Sequence, residues 1–570
     1  MTHVPALNTT PTGPSLSQAT GASLSRGQRA MWFLWNLNPG GAEYGLPMAW
    51  TIKAALDVGA LHAALQGLVQ RHPVLRTTYA APAGEPVQVI HAHAPVAFQC
   101  VDASGWDAPR LHARLTQEAE APFDLEHGPV FRTHLFSRGE NENVLLLNTH
   151  HIAGDTWSLI VMMEELGALY QARLAGQDAA LAPGSLPFTA YVDWQQHLLD
   201  SQRGEDHWAY WREQLASPPT LGLPTDRPRA PVQRHAGAGQ PFTLDAALTA
   251  QVRALARQED VTFYTVLLAA FYVLLYRYTG QDDLVVGSPR FGRPPQGFER
   301  TVGYFASPCA LRAQVDGEAD FSSFLRQVRE VLVGSKEHQD FPFPLIVERL
   351  ALPRDPSRGP VFQVAFTYQK AQLSHMQGVA AARMGFGGAA LDLSGLPLES
   401  YPLEQRSVKF DLDLVVEEVD GCLRAVCWYN TDLWNADSIG YLVGHYQALL
   451  QGAVHDPALA LNRLPMLTAP EQAAMAAWNA TDAEFPQACV HRLFERHAAR
   501  DPRAGALRFD GGELSYDELN RRANRLAHYL RRLGLRPGQV AGLSIERGRP
   551  ELVIGVLAIL KAGGAYLPLD

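Results

Sequence analysis

Thr149-His150-His151-Ile152-Ala153-Gly154-Asp155-Thr156-Trp157-Ser158 joins the apolar run Val144-Leu145-Leu146-Leu147 to the run from Trp157 to Tyr170. The first run reads as a buried strand and the second as a largely apolar helix. Titratable groups between two buried elements are an odd way to build a core, because an unpaired polar group is costly to bury. They suit a cleft mouth, where an imidazole accepts a proton near neutral pH. An isolated His-His pair with an aspartate four residues on is more simply satisfied core groups and a helix cap. Short motifs match by chance, so the rest of the chain has to decide.

Composition narrows the field. At about 150 residues per domain, 570 residues give roughly four units, and 47% hydrophobic residues are enough for sizeable cores. A net charge of −10 without a basic block gives no support for nucleic-acid or anionic-membrane binding, and neither is an expected partner. Cys100, Cys309, Cys422, Cys427 and Cys489 form no CxxC pair and no His/Cys metal spacing. They read as buried or free thiols in a reducing compartment. The longest apolar run, Val266 to Tyr276, is too short to span a bilayer. Met1 to Ala22 lacks the basic start and apolar stretch of a secretory signal, so the expected location is cytoplasmic.

Residues 1–22, rich in Thr, Ser, Pro and Gly, predict a disordered leader. Beyond it, helix and strand signals alternate. Leu61, Leu65 and Leu68 share a helical face that must end near His72, because Pro73 disfavours helix before it. Leu248, Val252 and Leu255 repeat the spacing. Thr262 then caps an apolar helix ending near Gly280, and Asp283 to Gly287 follows as a short buried strand. The pattern is mixed α/β in two lobes, 23–200 and 225–460. The Pro-rich stretch from Ser217-Pro218-Pro219 to Pro228 separates them.

Further motifs occur in a fixed order. Leu24-Ser25-Arg26-Gly27-Gln28-Arg29-Ala30-Met31-Trp32-Phe33-Leu34 opens the series, and Arg71-His72-Pro73-Val74-Leu75-Arg76-Thr77 follows. After the histidine motif come Tyr191-Val192-Asp193-Trp194, then Val286-Gly287-Ser288-Pro289 with Gly292-Arg293 and Val302-Gly303-Tyr304-Phe305. His338-Gln339-Asp340-Phe341-Pro342-Phe343 and Arg354-Asp355-Pro356-Ser357-Arg358 complete it. In this order they resemble the condensation domains of nonribosomal peptide synthetases, whose signature is HHxxxDG. Leu464-Pro465-Met466-Leu467 and Trp478-Asn479-Ala480-Thr481 resemble the linker that follows such domains, placed at 461–489. Leu514-Ser515-Tyr516-Asp517-Glu518-Leu519 and the final Leu560 to Asp570 resemble the first two motifs of an adenylation domain, here 490–570. No Ser/Thr/Gly-rich phosphate loop follows, so this piece is expected not to activate an amino acid.

The resemblance implies two chloramphenicol-acetyltransferase-like lobes in a V with a tunnel between them. It also implies acyl transfer. The amine of an aminoacyl thioester on one carrier protein attacks an acyl thioester on another, both held on 4′-phosphopantetheine arms. No cofactor is expected on the chain itself. The expected partners are donor and acceptor carrier proteins, downstream adenylation and carrier domains, and an upstream synthase docked through the leader. A plain solvated leader is the simpler reading of the last. By resemblance the catalytic set is His151, His150 and Asp155. His151 contacts the amine as base or as positioner; Asp155 pairs with Arg293 and fixes the loop in preference to acting as an acid; His150 turns into the fold. Thr156, Trp157, Ser158 and Ser307 fall on the tunnel or acceptor side.

Two departures stand out. Thr156 occupies the place of the family's Gly after the aspartate, which puts acceptor geometry in question. Phe305-Ala306-Ser307 replaces Phe-Val-Asn, which removes an amide near the tunnel. The opening Ser25-Arg26-Gly27-Gln28 resembles domains that take a fatty-acyl or polyketide donor more than those extending a peptide. Met1 opening directly onto the motif series points to a donor from another chain or an acyl-CoA. Alternatives remain a domain that dehydrates or epimerises its carrier-bound substrate, and a non-catalytic recruitment platform.

Overall fold

Two apolar hairpins, each followed by a long buried helix, set the plan of the larger part of this protein. The computed structural model describes residues 19–182, 185–290, 292–294, 297–369, 377–419 and 421–569. The chain divides into two compact units, residues 1–472 and 473–570.

The first lobe runs β1 (Ala19–Ser23), α1 (Arg26–Leu37), β2 (Gly45–Ile52), α2 (Val58–Arg71), β3 (Thr77–Ala80), β4 (Val87–His91) and β5 (Ala97–Asp102). It continues through α3 (Ala108–Ala119), β6 (Phe131–Gly139), β7 (Glu142–His150) and α4 (Thr156–Leu174). Next come α5 (Phe188–Leu199), α6 (Gln202–Gln214), β8 (Gly237–Leu244), α7 (Ala246–Gln258), α8 (Phe263–Thr279), β9 (Asp283–Arg290) and β10 (Ser307–Gln314). The unit closes with α9 (Phe321–Glu337), α10 (Phe343–Leu350), β11 (Val364–Gln369), α11 (Gln377–Arg383), β12 (Ala390–Leu393), β13 (Leu396–Ser400), β14 (Leu412–Val419), β15 (Cys422–Asn430) and α12 (Ala436–His455).

Each lobe is organised on a mixed sheet. The first has the order β12-β13-β2-β7-β6-β5 and the second β10-β9-β11-β14-β15-β8. Both are built round an antiparallel hairpin, β6–β7 in one and β14–β15 in the other. A parallel strand flanks the first member of each hairpin, and an antiparallel strand flanks the second. β7 is buried from Asn143 to His150, which is why its sequence reads as a continuous apolar run instead of an alternating one. In α8 every residue from Val266 to Leu275 is buried. Thr262 accepts the Thr265 N–H at its start, and Gly280 takes the left-handed conformation (φ 68°) that ends it. Among the described residues no single helix is long and apolar enough to cross a membrane.

Boundaries read from sequence need four corrections. Residues 19–22, placed in a disordered leader, form β1 with Ser23 and pair antiparallel with β4; their backbone hydrogen bonds hold them without an apolar signal. Residues 1–18 lie outside the described residues. The two lobes are not consecutive in sequence, because β13, expected in the second, pairs with β2 and brings β12 into the first sheet. That pairing covers an edge of β2 that would otherwise expose its backbone groups. Trp211, Leu215 and Leu221, from the stretch left between the lobes, are buried in the second core. Leu461 and Leu464, expected in the linker, are buried in that core too.

In the second unit the helices Tyr516–Arg532 and Pro550–Ala562 pack about Leu514, Leu519, Ile554 and Leu557, beside the hairpin of Gly505–Phe509 and Gly512–Ser515. Gly563, at φ 91°, caps the second of these helices.

Candidate active site

The site begins where β7 runs out. Gly45 of β2 sits opposite His150, so the strand partner ends there as well. One helical turn, His151–Ala153, and Gly154 then lead to Asp155, the N-cap of α4.

The two histidines diverge at once. His150 is buried, its Nδ1 accepts the Ile152 N–H at 3.1 Å, and its ring stands edge-on to Phe123 at 5.6 Å. Burial, then the charges of Lys409 and Arg132, push its pKa down to about 3, so it is neutral. His151 is fixed through its backbone N–H, which donates to the Tyr44 carbonyl at 2.8 Å. Its Nδ1 lies 2.8 Å from the Gly154 carbonyl, and its ring packs against Tyr304 at 4.9 Å and 71°. A carbonyl only accepts, so Nδ1 carries the proton and the lone pair is on Nε2. Nε2 has no hydrogen-bond partner among the described residues. Burial holds the imidazole well below the usual histidine range; Lys409 adds to this, the Gly154 hydrogen bond opposes it, and Arg383 and His150 contribute further lowering.

Asp155 has no oxygen to offer a substrate. Its Oδ1 accepts from Ser158 N at 2.8 Å, Ser158 Oγ at 2.7 Å and Arg293 Nη2 at 3.1 Å; Oδ2 accepts from Phe305 N at 3.2 Å. Arg293 also donates through Nη1 to the carbonyls of Phe298 (2.9 Å) and Thr301 (2.6 Å), and its guanidinium lies 4.1 Å from the Phe305 ring. This buried ion pair ties the loop after β7 to the segment leading into β10. His150 and Asp155, counted with His151 in the catalytic set, are both engaged by protein groups in the loop that carries His151.

Ser158 also corrects an expectation. It is fully buried, with Oγ 2.9 Å from the Gly303 carbonyl and 3.0 Å from Arg293 Nη2, and lines no open space. Trp157, half-buried, donates from Nε1 to the Glu299 carbonyl at 2.7 Å. Thr156 is the first residue of α4 and partly exposed. Ser307 accepts the Phe343 N–H at 3.4 Å, bracing the start of α10. It lines a shallow cleft together with Gly27, Tyr191, Trp194 and Tyr304. A second shallow recess is lined by Gly45, Pro47, Arg383, Ser407 and Trp428. Tyr304 belongs to one recess and packs on His151; Gly45 belongs to the other and pairs with His150.

The remaining motifs act as struts. Gln28 completes a capping box with Ser25 and reaches the Ile152 carbonyl from Nε2 at 3.4 Å. Arg71 and His72 both meet Glu165 of α4 at 2.8 Å, locking α2 against the helix behind the site. Sequence reasoning assigned no role to Tyr44, Tyr304, Arg383 or Lys409. Tyr304 had a signal, its place beside Gly303 in a quoted motif. Lys409 and Arg383 had none.

Comparisons with known proteins identify the family. The Condensation domain family model matches residues 18–476, and the AMP-binding enzyme model matches residues 494–570. One of the linear gramicidin synthase proteins of Brevibacillus parabrevis is 38% identical over 557 residues, covering 96% of this chain and 10% of the relative. Chondramide synthase of Chondromyces crocatus is 37% identical over 556 residues, covering 96% and 14%. The chain thus spans about a tenth of the length of the curated relatives it matches. Among solved structures, a four-domain nonribosomal peptide synthetase bound to AMP and glycine aligns with a TM-score of 0.81 at 26% identity, covering 97% of this chain and 42% of that one. The X-domain from teicoplanin biosynthesis aligns with a TM-score of 0.70 at 29% identity, covering 80% and all of that chain. The chain belongs to the condensation-domain family of nonribosomal peptide synthetases and runs on into the beginning of an AMP-binding, adenylation domain.

Proposed function

We propose that this protein forms an amide bond between a thioester-bound acyl donor and the amine of an aminoacyl group on an acceptor carrier protein. The observation that carries the reading is the free Nε2 of His151, neutral and backed by a hydrogen bond from Nδ1 to Gly154. A bare imidazole nitrogen receives an N–H of the attacking amine, orients its lone pair toward the thioester carbonyl and takes up the proton as the C–N bond forms. Holding two thioesters in register supplies several kcal/mol of the acceleration. The proton passes to the departing thiolate as the tetrahedral intermediate collapses. His150, Asp155, Ser158 and Arg293 keep the imidazole in place and take no part in bond making.

The arms of both substrates are 4′-phosphopantetheine on carrier proteins, with acyl-CoA as an alternative donor. We assign a fatty-acyl or polyketide donor in preference to a peptidyl one, on the Ser25-Arg26-Gly27-Gln28 motif. Gly27 lines the cleft with Tyr304, and a Cβ there would stand 2.9 Å from the Tyr304 ring, so the motif's composition bears on the space beside His151. We assign the first lobe from β1 onward with β12–β13 added to its sheet, the second lobe with Trp211 to Leu221 and Leu461 to Leu464 in its core, and 490–570 as the adenylation piece.

The test offers acyl-CoA, acyl-carrier-protein and peptidyl-carrier-protein donors in competition for one loaded acceptor, with products read by mass spectrometry. An amide from the acyl donors is expected. Preference for the peptidyl donor overturns the donor assignment, and an unsaturated or epimerised product without amide overturns the reaction.

A further inference from the structure

Two cations stand behind the histidine pair, and neither takes part in the reaction as described. Lys409, just before β14, places Nζ 5.3 Å from the centre of the Tyr44 ring. Tyr44 is the residue whose carbonyl receives the His151 N–H, and its ring lies 6.5 Å from that of His150. Arg383, at the end of α11, donates from Nη1 to the Pro47 carbonyl at 3.0 Å, while its buried Nε has no partner among the described residues. Both cations are therefore seated on the Tyr44–Pro47 segment, which pairs with the end of β7.

The charged groups around this seat are few. Lys409 faces Arg383, Glu43 and Asp413, and Asp413 accepts from Thr367 Oγ1 at 3.3 Å. Burial and Arg383 push the Lys409 ammonium down to about 8, and Asp413 and Glu43 pull it back up, so it remains charged at neutral pH. His151 faces Lys409, Arg383, His150 and the Tyr304 ring, with Asp155 already neutralised by Arg293. In a poorly solvated interior, like charges act over several ångströms, and a second positive charge beside a fixed ammonium is strongly disfavoured.

We propose that Lys409 is an electrostatic positioning residue, whose ammonium behind Tyr44 keeps the Nε2 lone pair of His151 available to the incoming amine. The proposal rests on the reading of His151 given above. It also gives the segment leading into β14 a part in the reaction: a residue that precedes a second-lobe strand supplies the field in which a first-lobe histidine works.

The experiment uses the full chain as K409M, K409Q and K409R. The rate of carbethoxylation of His151 by diethyl pyrocarbonate is followed against pH and read on the peptide by mass spectrometry, because only the unprotonated imidazole reacts. Removal of the charge in K409M and K409Q is expected to raise the apparent pKa of His151 by about half a unit or more. K409R is expected to restore it, and the acidic limb of amide formation to move with it. An unchanged His151 profile in a folded neutral variant overturns the proposal, as does an equal shift in K409R. A His151 that titrates at the ordinary histidine value in the unaltered chain overturns it without any variant. Loss of the role of His151 itself would show separately, as amide formation retained in H151A while the carbethoxylation profiles still respond to Lys409.

Discussion

Both lobes contain the same passage, from the second strand of a hairpin through a short loop to a long core helix. In the second lobe β15 ends at Asn430 and α12 begins after Asn435. Asn430 is buried with its groups matched. Its N–H donates to the Asp411 carbonyl, its carbonyl accepts from Leu433 and Trp434, its amide donates to the Arg234 carbonyl at 2.7 Å, and Oδ1 accepts from Asp432 N at 2.8 Å. In the first lobe β7 ends at His150, whose Nδ1 accepts from Ile152, and Asp155 is matched on both oxygens. The difference is His151, which is less buried than His150 and whose Nδ1–Gly154 hydrogen bond leaves an acceptor lone pair on Nε2. On the proposed reading, the comparison teaches that chemistry is a local variation in a joint the fold builds twice. Asp155 is matched on both oxygens, so the loop that carries the unmatched nitrogen is held in place without loosening the lobe.

The largest effect expected in the first-lobe joint is on stability. Removing one member of a buried ion pair leaves an unpaired charge and costs about 3–5 kcal/mol, so Asp155→Ala and Arg293→Ala should each lower the denaturant midpoint strongly. The double variant should lose less than the sum of the two. Parent-like unfolding of both singles would remove the structural reading and bring back a chemical role for Asp155.

His151→Ala tests the other half of the contrast. Amide formation should fall about a hundredfold or more, equivalent to about 2.7 kcal/mol in the barrier, while the melting curve stays near the parent's. Quantifying the carrier-bound product by mass spectrometry decides it; near-normal turnover in a folded variant would sink the assignment.

At the matching place in the second lobe the expectation reverses. Asn430→Ala leaves the Arg234 carbonyl and the Asp432 N–H without their partner and should cost about 1–3 kcal/mol of stability. The turnover of the protein that remains folded should hold. A selective loss of amide formation there would break the comparison.

The last expected effect is a slope with pH. His150 binds its proton in the unfolded chain near pH 6.5 but in the folded chain only near pH 3. Between these values the unfolded state holds more protons, so stability rises with pH across the window and is lost on acidification, by up to about 1.4 kcal/mol per pH unit for this residue. Urea titrations at a series of pH values on the parent and on His150→Gln should show a flatter acid limb in the variant.

Much of this was legible from local chemistry. The apolar run before His150, the Thr262 cap with its Gly280 stop, and the Leu61, Leu65 and Leu68 face each act within one element, and each lies where its spacing places it. The order of the motifs identified the family, because each fixes a strut that this arrangement of elements needs: Gln28 to Ile152, Arg71 and His72 to Glu165, Arg293 to Asp155. Ser158 was misplaced because a serine in the first turn of a helix looks the same in sequence whether it faces a cleft or an arginine.

By itself, then, the sequence determined the mixed α/β class, the ends of the main helices, the family and the loop that bears the histidines, since caps, periodicity and adjacency are short-range properties. Tertiary structure alone decided that β12 and β13 cross to the first sheet, that the Gly154 carbonyl leaves Nε2 as the open nitrogen of His151, and that Lys409 and Arg383 stand behind it. The physical reason is the range of the forces. Strand edges pair with whatever backbone folding brings alongside, and charges in a poorly solvated interior act on whatever lies near in space, however far away in the chain.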